Sequence, residues 1–346
     1  MPLDLVLDGG GVRGIALVGA LSVLDEAGYR FQRVAGTSAG AMVGSLVAAG
    51  MPASGLRAAI HELDYRRFLD RSGARRLPVV GKGLSLLVAK GMYTGNYLTD
   101  WLGRRLADLG VRTFGDLRLA GDRGSGLRPE QQYRLVVTAL DVTRARLVRL
   151  PWDYPSYGLD PDQQPVVDAV RASASLPFLF DPAVLRHGNG ARSVLLDGGL
   201  VSYFPLDIFD RRDGRAPRWP TFGLKLSGPP PTPAPRTIAG PIGLGLALLA
   251  GLRTVYEQRA YDRLAMGDRT ISIDTGPAIG RADFALDRDA QTALYLAGRR
   301  DTESFLRTWR WERHLELARL GHPVGAGIGL DGFAGLGGPE LEAVLA

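Results

Sequence analysis

Ser38 lies in a sequence that could make it a catalytic nucleophile. It stands in Gly36-Thr37-Ser38-Ala39-Gly40, a G-x-S-x-G pattern between a short apolar run and a stretch of small apolar residues. On a sharp turn from a strand into a helix, this pattern exposes a serine hydroxyl, and the glycines avoid clashes where the backbone doubles back. The same residues also suit an ordinary serine cap at the start of a helix. The sequence therefore predicts either a nucleophile for acyl transfer or a helix cap.

A second candidate is the glycine-rich segment 9–14, GGGVRG, which follows an apolar run and precedes a helical pattern. Its G-x-G-x-x-G spacing is typical of a dinucleotide-binding turn. Such a turn also requires an acidic residue at the end of the second strand to hold a ribose, and segment 35–38 contains none. Three glycines before a helix also expose backbone amides at the positive end of its dipole, where they can stabilise an oxyanion. We therefore favour an anion or oxyanion site over a nucleotide site.

A serine nucleophile needs a general base, and the sequence offers few candidates. The chain has no cysteine, which excludes thiol catalysis and thiolate metal sites. It has four histidines. These are His61, His187, His314 and His322. None lies in a strand-end loop beside a supporting acid, and His187 is predicted to lie in a solvated loop. Asp197 is the better candidate, because an apolar strand precedes it and two glycines follow it.

The segments that must position these residues alternate between strand and helix. Apolar runs at 3–7 and 31–35 predict strands, and patterns at 15–27 and 41–49 predict helices, so the chain begins with a βαβα unit typical of parallel sheets. Further strands are predicted at 134–140, 146–150, 194–196, 221–226 and 270–274, and further helices at 56–69, 95–109, 166–175 and 289–320. The proline-rich segment 228–235 predicts a stiff connector.

The composition is that of a globular protein of 346 residues. Hydrophobic residues make up 45 % and charged residues 23 %, which suffices for a full core. The 42 basic and 36 acidic residues give a net charge of +6, which weakly favours an anionic surface as partner. Neither a positively charged leader nor an apolar run of about 20 residues is present, so the sequence predicts no signal peptide and no membrane span.

The motifs together resemble one family. The segments 8–14 (DGGGVRG), 36–40 (GTSAG) and 197–199 (DGG) are similar in type and order to those of the patatin-like phospholipases, serine-aspartate lipid acyl hydrolases. Two further stretches, 171–178 (RASASLPF) and 197–206 (DGGLVSYFPL), also resemble that family. The resemblance implies a three-layer α/β/α sandwich with a mostly parallel central sheet. It implies a catalytic domain over 1–307, with a motif core at 3–207 and a weaker match at 208–307, followed by a C-terminal helical extension and loose tail at 308–346.

By this resemblance, Ser38 is the nucleophile and Asp197 its base. The oxyanion hole is then formed by backbone amides of Gly9, Gly10, Gly11 and Ala39. The supporting motif positions are Arg13, Gly14, Gly36, Gly40, Gly198 and Gly199. Arg13 is expected either to fix the glycine loop or to anchor an anionic head group.

The expected activity is phospholipase A-type cleavage of fatty-acyl esters, without a metal or organic cofactor. The expected partner is a phospholipid or other acyl lipid at a membrane surface and not a nucleic acid, with an unknown activator or regulatory partner left open. The expected location is cytoplasmic and at most peripheral to a membrane. Segments 78–94, with Lys82 and Lys90, and 237–252 are either buried helices or lipid-contacting lid segments. The alternatives are a nucleotide-binding α/β protein and a non-catalytic lipid-binding protein of the same fold.

Overall fold

The protein, described from a computed structural model, begins with the predicted βαβα unit. Strand β1 (Pro2–Leu7) is followed by helix α1 (Ile15–Glu26), and strand β2 (Arg30–Thr37) by helix α2 (Ala39–Ala48). All residues of β1 after Pro2 are buried, as expected for a strand covered on both faces. The structure describes residues 1–70, 93–119, 127–177, 179–201, 204–211, 213–227, 247, 251, 268–276, 279–280 and 283–319.

Eight strands of the described chain form one mixed sheet. The later strands are β3 (Leu135–Asp141), β4 (Arg146–Leu150), β5 (Ala183–Arg186), β6 (Arg192–Asp197), β7 (Thr221–Ser227) and β8 (Thr270–Asp274). Hydrogen-bonded pairing follows the path β5-β6-β3-β2-β1-β7-β8, and β4 also pairs with β3. Five neighbouring strands from β3 to β8 run parallel, whereas β4 and β6 are antiparallel to β3. The sheet is therefore mostly parallel.

Both faces of this sheet are covered. The later helices are α3 (Ala53–Glu62), α4 (Asn96–Asp108), α5 (Val166–Ser173), α6 (Arg288–Thr308) and α7 (Trp311–Arg319). The larger core joins β1 and β3 to α1, α2 and their neighbouring helices. On the opposite face, Val6, Ala35 and Val136 pack against Leu206 and Phe209. The predicted α/β class, with a mostly parallel central sheet and flanking helices, is confirmed.

Helix α6 lies directly against α1. A Cβ atom on Gly19 would be 2.0 Å from the carbonyl oxygen of Tyr295, and one on Gly298 would be 1.9 Å from that of Ala16. The backbones can approach this closely because glycine has no side chain. The Tyr295 hydroxyl also donates a hydrogen bond to Ser22 Oγ at 3.1 Å. Helix α6 therefore packs as part of the same unit as the N-terminal βαβα segment.

Replacing Gly298 with alanine is expected to lower the free energy of unfolding by about 3 kcal/mol, because the new Cβ would overlap a helix backbone. Urea unfolding monitored by circular dichroism measures this change. Gly103→Ala in α4 is the matched control, since a Cβ there meets no atom within 4 Å. The control should be neutral or slightly stabilising. Equal effects of the two substitutions would contradict the close contact between α1 and α6.

Asp70 caps the start of α4. Its Oδ1 accepts a hydrogen bond from the Gly95 amide at 2.9 Å, and its Oδ2 accepts one from the Tyr97 amide at 3.0 Å. Burial acts to raise the pKa of Asp70, but these hydrogen bonds, together with those from Thr94, outweigh it and hold the pKa below its ordinary value of 3.8. The ionised carboxylate therefore stabilises the helix start.

Asp70→Ala is expected to lower the free energy of unfolding by about 1 kcal/mol near neutral pH. Because the folded pKa is depressed, this stabilisation is complete above the ordinary pKa and disappears as the pH falls through the folded pKa. Denaturant unfolding of wild type and variant should therefore show a difference that shrinks in acid. A difference that stays constant across that pH range would contradict the assignment of Asp70 as an ionised cap.

Two predicted helices differ from the structure, and one observed strand was not predicted. The helix expected at 56–69 ends at Glu62, because Asp64 then caps a 3₁₀ turn by accepting from the Arg66 amide at 3.1 Å. The helix expected at 289–320 is interrupted between α6 and α7, where Trp309 is extended and packs on Phe222. Strand β5 was not predicted, because its side chains alternate between exposed and only partly buried, with Val184 54 % exposed.

Several predicted segments lie outside the described residues. They are most of 78–94 with Lys82 and Lys90, the connector 228–235, nearly all of 237–252, and the tail from 320 to 346. Within the described ranges, every helix is too short or too polar to span a bilayer.

Candidate active site

Ser38 occupies a sharp turn between β2 and α2. Its φ of 53° lies in the left-handed region, which few residues other than glycine adopt. A Cβ on Gly36 would be 2.4 Å from the Gly40 carbonyl oxygen, and one on Gly40 would be 2.4 Å from that of Leu7. The strand and helix therefore cross where only glycine fits, and this crossing holds Ser38 at the tip of the turn. A serine with a strained backbone on a sharp strand-to-helix turn is typical of a nucleophile elbow.

Strand register brings Ser38 and Asp197 together. Thr37 at the end of β2 pairs with Thr138, and Asp197 at the end of β6 pairs with Ala139, the next residue of β3. Strand β4 pairs along one edge of β3, and both β2 and β6 pair along the opposite edge. Because β2 is parallel to β3 and β6 is antiparallel to it, β2 and β6 run towards each other along that edge. Their ends meet, and Ser38 Oγ lies 2.7 Å from Asp197 Oδ2. The serine hydroxyl donates this hydrogen bond to the carboxylate.

The backbone around Asp197 fixes its carboxylate. The Gly199 amide donates to Asp197 Oδ1 at 2.7 Å, and the Asp197 amide donates to the Ser175 carbonyl at 2.9 Å. A Cβ on Gly198 would lie 2.9 Å from the Thr138 carbonyl oxygen, so the chain can turn here only with glycine. Asp197 is only 4 % exposed. One carboxylate oxygen is thus held by the backbone while the other faces Ser38.

Three further hydroxyl groups lie at the turn. The Ser38 amide donates to Ser173 Oγ at 2.8 Å, and Ser173 Oγ in turn donates to the Thr138 carbonyl at 2.6 Å. The hydroxyls of Thr37 and Thr138 lie 2.6 Å apart. Because the Ser38 amide is already bonded, it is not available to an oxyanion. The sequence did not single out Ser173 or Thr138, although Ser173 lies in the motif at 171–178.

The glycine-rich loop lies against the nucleophile. Asp8 at its start is tied to β7, because its Oδ2 accepts from the Leu226 amide at 3.2 Å and its amide donates to the Leu224 carbonyl at 3.0 Å. A Cβ on Gly9 would lie 3.1 Å from Ser38 Cβ. The loop then enters α1 through a 3₁₀ turn, Gly11–Gly14.

This loop can present amides to the site. No hydrogen bond within the described chain uses the amides of Gly10 or Gly11. Both glycines line the same cavity as Ser38 and Ala39, the first residue of α2. A Cβ on Gly14 would be 2.9 Å from that of Ala39, so the loop and the start of α2 are in close contact. Amides in this position are suited to stabilising negative charge on the carbonyl oxygen of an acyl group whose carbon bonds to Ser38 Oγ.

Arg13 makes a contact that fixes the loop. Its Nε donates to the Ile279 carbonyl at 2.7 Å, which ties the loop to the segment after β8. Of the two roles considered for Arg13, this contact supports the structural one.

An apolar cavity of about 300 Å³ opens beside Ser38 and Asp197. Most of its lining consists of aliphatic and aromatic side chains from α2, α4, the 3₁₀ turn Tyr65–Phe68 and the loop after α5. Asp197 is the only charged residue among the described lining residues. Tyr65 is neutral, since burial raises the pKa of its hydroxyl well above the ordinary value. The cavity therefore suits an apolar group attached to a carbonyl at Ser38.

No described histidine lines this cavity. His187 was expected to be solvated, and this prediction was wrong: it is only 9 % exposed. Its Nε2 lies 3.0 Å from Ser193 Oγ, and its ring packs against Tyr157, because the loop folds back through a hydrogen bond from the Gly188 amide to the Tyr157 carbonyl. His314 is buried against Asp268, His61 is exposed, and His322 lies outside the described residues. The described side chains form no cluster able to hold a metal ion.

Comparison with known proteins finds relatives of this chain and a matching family model. YqhO of Bacillus subtilis is 34 % identical over 312 residues, covering 90 % of this chain and 100 % of that protein. The cGAMP-activated phospholipase of Pseudomonas aeruginosa is 30 % identical over 208 residues, covering 58 % of this chain and 53 % of that protein, so the chain spans about half of that relative. The solved structure of VipD from Legionella pneumophila has a TM-score of 0.49 at 18 % identity, covering 89 % of this chain and 66 % of VipD. The family model described as patatin-like phospholipase matches residues 5–210, and the chain belongs to that family.

Proposed function

We propose that this protein is a lipid acyl hydrolase in which Ser38 and Asp197 form the catalytic dyad. The observation that carries the proposal is the 2.7 Å hydrogen bond from Ser38 Oγ to Asp197 Oδ2 beside an apolar cavity. A serine hydroxyl is a weak nucleophile until a positioned base accepts its proton. Asp197 is positioned for that role, since its other oxygen is held by the Gly199 amide.

The proposed reaction has two steps. Ser38 Oγ bonds to the ester carbonyl carbon while its proton passes to Asp197, and the departing alcohol takes that proton as the ester C–O bond breaks. Water then gives a proton to Asp197 and attacks the acyl-serine, which releases the fatty acid and returns the proton to Ser38. At each stage negative charge develops on the former carbonyl oxygen.

Backbone amides are the proposed oxyanion stabilisers. We assign this role to the amides of Gly10, Gly11 and Ala39, with Gly9 shaping the loop against Ser38. Each such donor typically contributes about 3 kcal/mol of transition-state stabilisation. The glycine loop is firmly placed, because Asp8 binds it to β7 and Arg13 binds it to Ile279. Fixed amides need not reorganise as the charge develops.

The proposed substrate is an acyl ester of a phospholipid, cleaved by phospholipase A-type chemistry at a membrane surface. The apolar lining favours an acyl chain over a nucleotide, whose phosphates and ribose need polar partners. Family membership supports a lipid substrate. We assign the catalytic unit to residues 1–307, which is supported by the packing of α6 on α1.

Phospholipid hydrolysis tests this proposal. Vesicles of phosphatidylcholine and phosphatidylglycerol are incubated with wild type, Ser38→Ala and the buried-serine control Ser45→Ala, and released fatty acid is measured by mass spectrometry. Wild type and Ser45→Ala should release fatty acid, and Ser38→Ala should not. A separate arm adds a cyclic dinucleotide, because the Pseudomonas aeruginosa relative is named for activation by cGAMP. Vesicle binding without any release in either arm would favour a non-catalytic lipid-binding protein.

A further inference from the structure

Three phenylalanine rings meet in the wall of the cavity. The Phe284 ring lies 5.8 Å from that of Phe68 and 6.2 Å from that of Phe180, measured between ring centroids. All three side chains line the cavity that contains Ser38. Phe284 therefore bridges two parts of the wall that come from different segments of the chain.

The three rings differ in how firmly they are embedded. Phe68, in the 3₁₀ turn after α3, is buried and makes an edge contact with Tyr97 at 5.4 Å. Phe180, in the loop after α5, is also buried. Phe284 lies between β8 and α6 and is half-buried, and its chain neighbours Asp283 and Ala285 are exposed. It is thus the outermost of the three rings, the one whose size can change with the least disturbance of the core.

We infer that Phe284 is a specificity-determining residue that limits the size of the acyl group held beside Ser38, an inference that rests on the proposed function. A cavity of about 300 Å³ is at the small end for ligand sites, so the volume of one aromatic ring is a substantial part of it. The family match ends at residue 210, so Phe284 is supplied by a part of the chain outside the shared motifs.

Acyl-chain selectivity should respond strongly to the size of this side chain. In an apolar pocket, gain or loss of room for a single methylene changes kcat/KM by about 10–200-fold. Phe284→Ala enlarges the space beside the acyl group and should favour longer chains. Phe284→Trp reduces that space and should favour shorter ones. Opposite shifts from the two substitutions separate a size effect from general damage to the fold.

The test is kcat/KM for p-nitrophenyl butyrate, octanoate and laurate. In Phe284→Ala, the ratio for laurate over butyrate should rise by about tenfold or more, and in Phe284→Trp it should fall. Phe284→Leu, the milder change, should shift the ratio in the same direction as alanine and serves if the alanine variant does not fold. Phe305→Ala is the matched control, because Phe305 is also half-buried but packs on Phe222, outside the cavity lining.

Two outcomes are distinguishable. If wild type hydrolyses these esters in a Ser38-dependent manner but the ratio is unchanged in all Phe284 variants, or changes equally in Phe305→Ala, the inference about Phe284 is wrong and the proposed function stands. If wild type hydrolyses none of them and Ser38→Ala behaves identically, the proposed function fails, and the inference about Phe284 fails with it.

Discussion

Replacing Ser38 with alanine is expected to reduce kcat for ester hydrolysis by about 10⁴-fold or more. The substitution removes the only atom proposed to bond to the acyl carbon, and the backbone amides alone retain just a small part of the rate enhancement. Steady-state hydrolysis of p-nitrophenyl octanoate measures the loss. Vesicle sedimentation measures lipid binding in parallel, and binding should persist because the cavity lining is otherwise unchanged.

The strained backbone conformation of residue 38 provides a control for this substitution. At a φ of 53°, serine and alanine are both disfavoured, whereas glycine is not. Ser38→Gly should therefore be as inactive as Ser38→Ala but more stable than it by about 1 kcal/mol in urea unfolding. Ser45→Ala, which removes a buried hydroxyl bonded to the Met42 carbonyl in the same helix, should keep its activity. Hydrolysis within tenfold of wild type in Ser38→Ala would contradict the assigned nucleophile.

Replacing Asp197 with asparagine is expected to reduce kcat by about 10⁴-fold, the scale seen when an acid is changed to its amide in a serine-hydrolase site. Asparagine is nearly isosteric with aspartate. Its Oδ1 can still accept a hydrogen bond from the Gly199 amide, which in wild type donates to Asp197 Oδ1 at 2.7 Å. It cannot accept the Ser38 proton. The turn should therefore fold as before while the serine is left without a base.

Asp210→Asn is the matched control for Asp197. The Asp210 carboxylate pairs with Arg269, with its Oδ1 2.6 Å from Nη1, and it lies outside the cavity lining. If this variant loses activity, the loss should be proportional to the loss of folded protein. Circular dichroism on the same samples measures the folded fraction. If folded Asp197→Asn retained wild-type kcat, a different residue would have to act as base.

Local patterns in the sequence were sufficient to predict much of the sheet. Strand β1 and the helix after it follow from a short apolar run ending in glycines, and β8 was predicted at its observed bounds, 270–274. Strand β5 could not be predicted, because Val184 and its neighbours alternate only weakly between exposed and partly buried positions. The break before α7 depends on Trp309 packing against Phe222, a tertiary contact without a local signal.

The candidate site, like the fold, could be predicted only in part from the sequence. Ser38 and Asp197 lie in short motifs that could be recognised, but their contact depends on the register of β2 and β6 along β3. The supporting hydroxyl of Ser173 becomes visible only when α5 packs beside the turn. The cavity wall could not be predicted, because its aromatic residues come from segments as distant as Phe68 and Phe284. The sequence around His187 predicted a solvated loop, but the folded loop buries this side chain.

Direct detection of the acyl-enzyme tests the central proposal most directly. Wild type is mixed with p-nitrophenyl octanoate, quenched in acid within the first turnover, digested and examined by peptide mass spectrometry. The dyad account predicts an octanoyl group on the peptide that contains Ser38, with fragment ions placing it on Ser38 itself, and no such group in Ser38→Ala. An octanoyl group on another residue that is turned over at the catalytic rate, or hydrolysis that proceeds equally in Ser38→Ala, would contradict it.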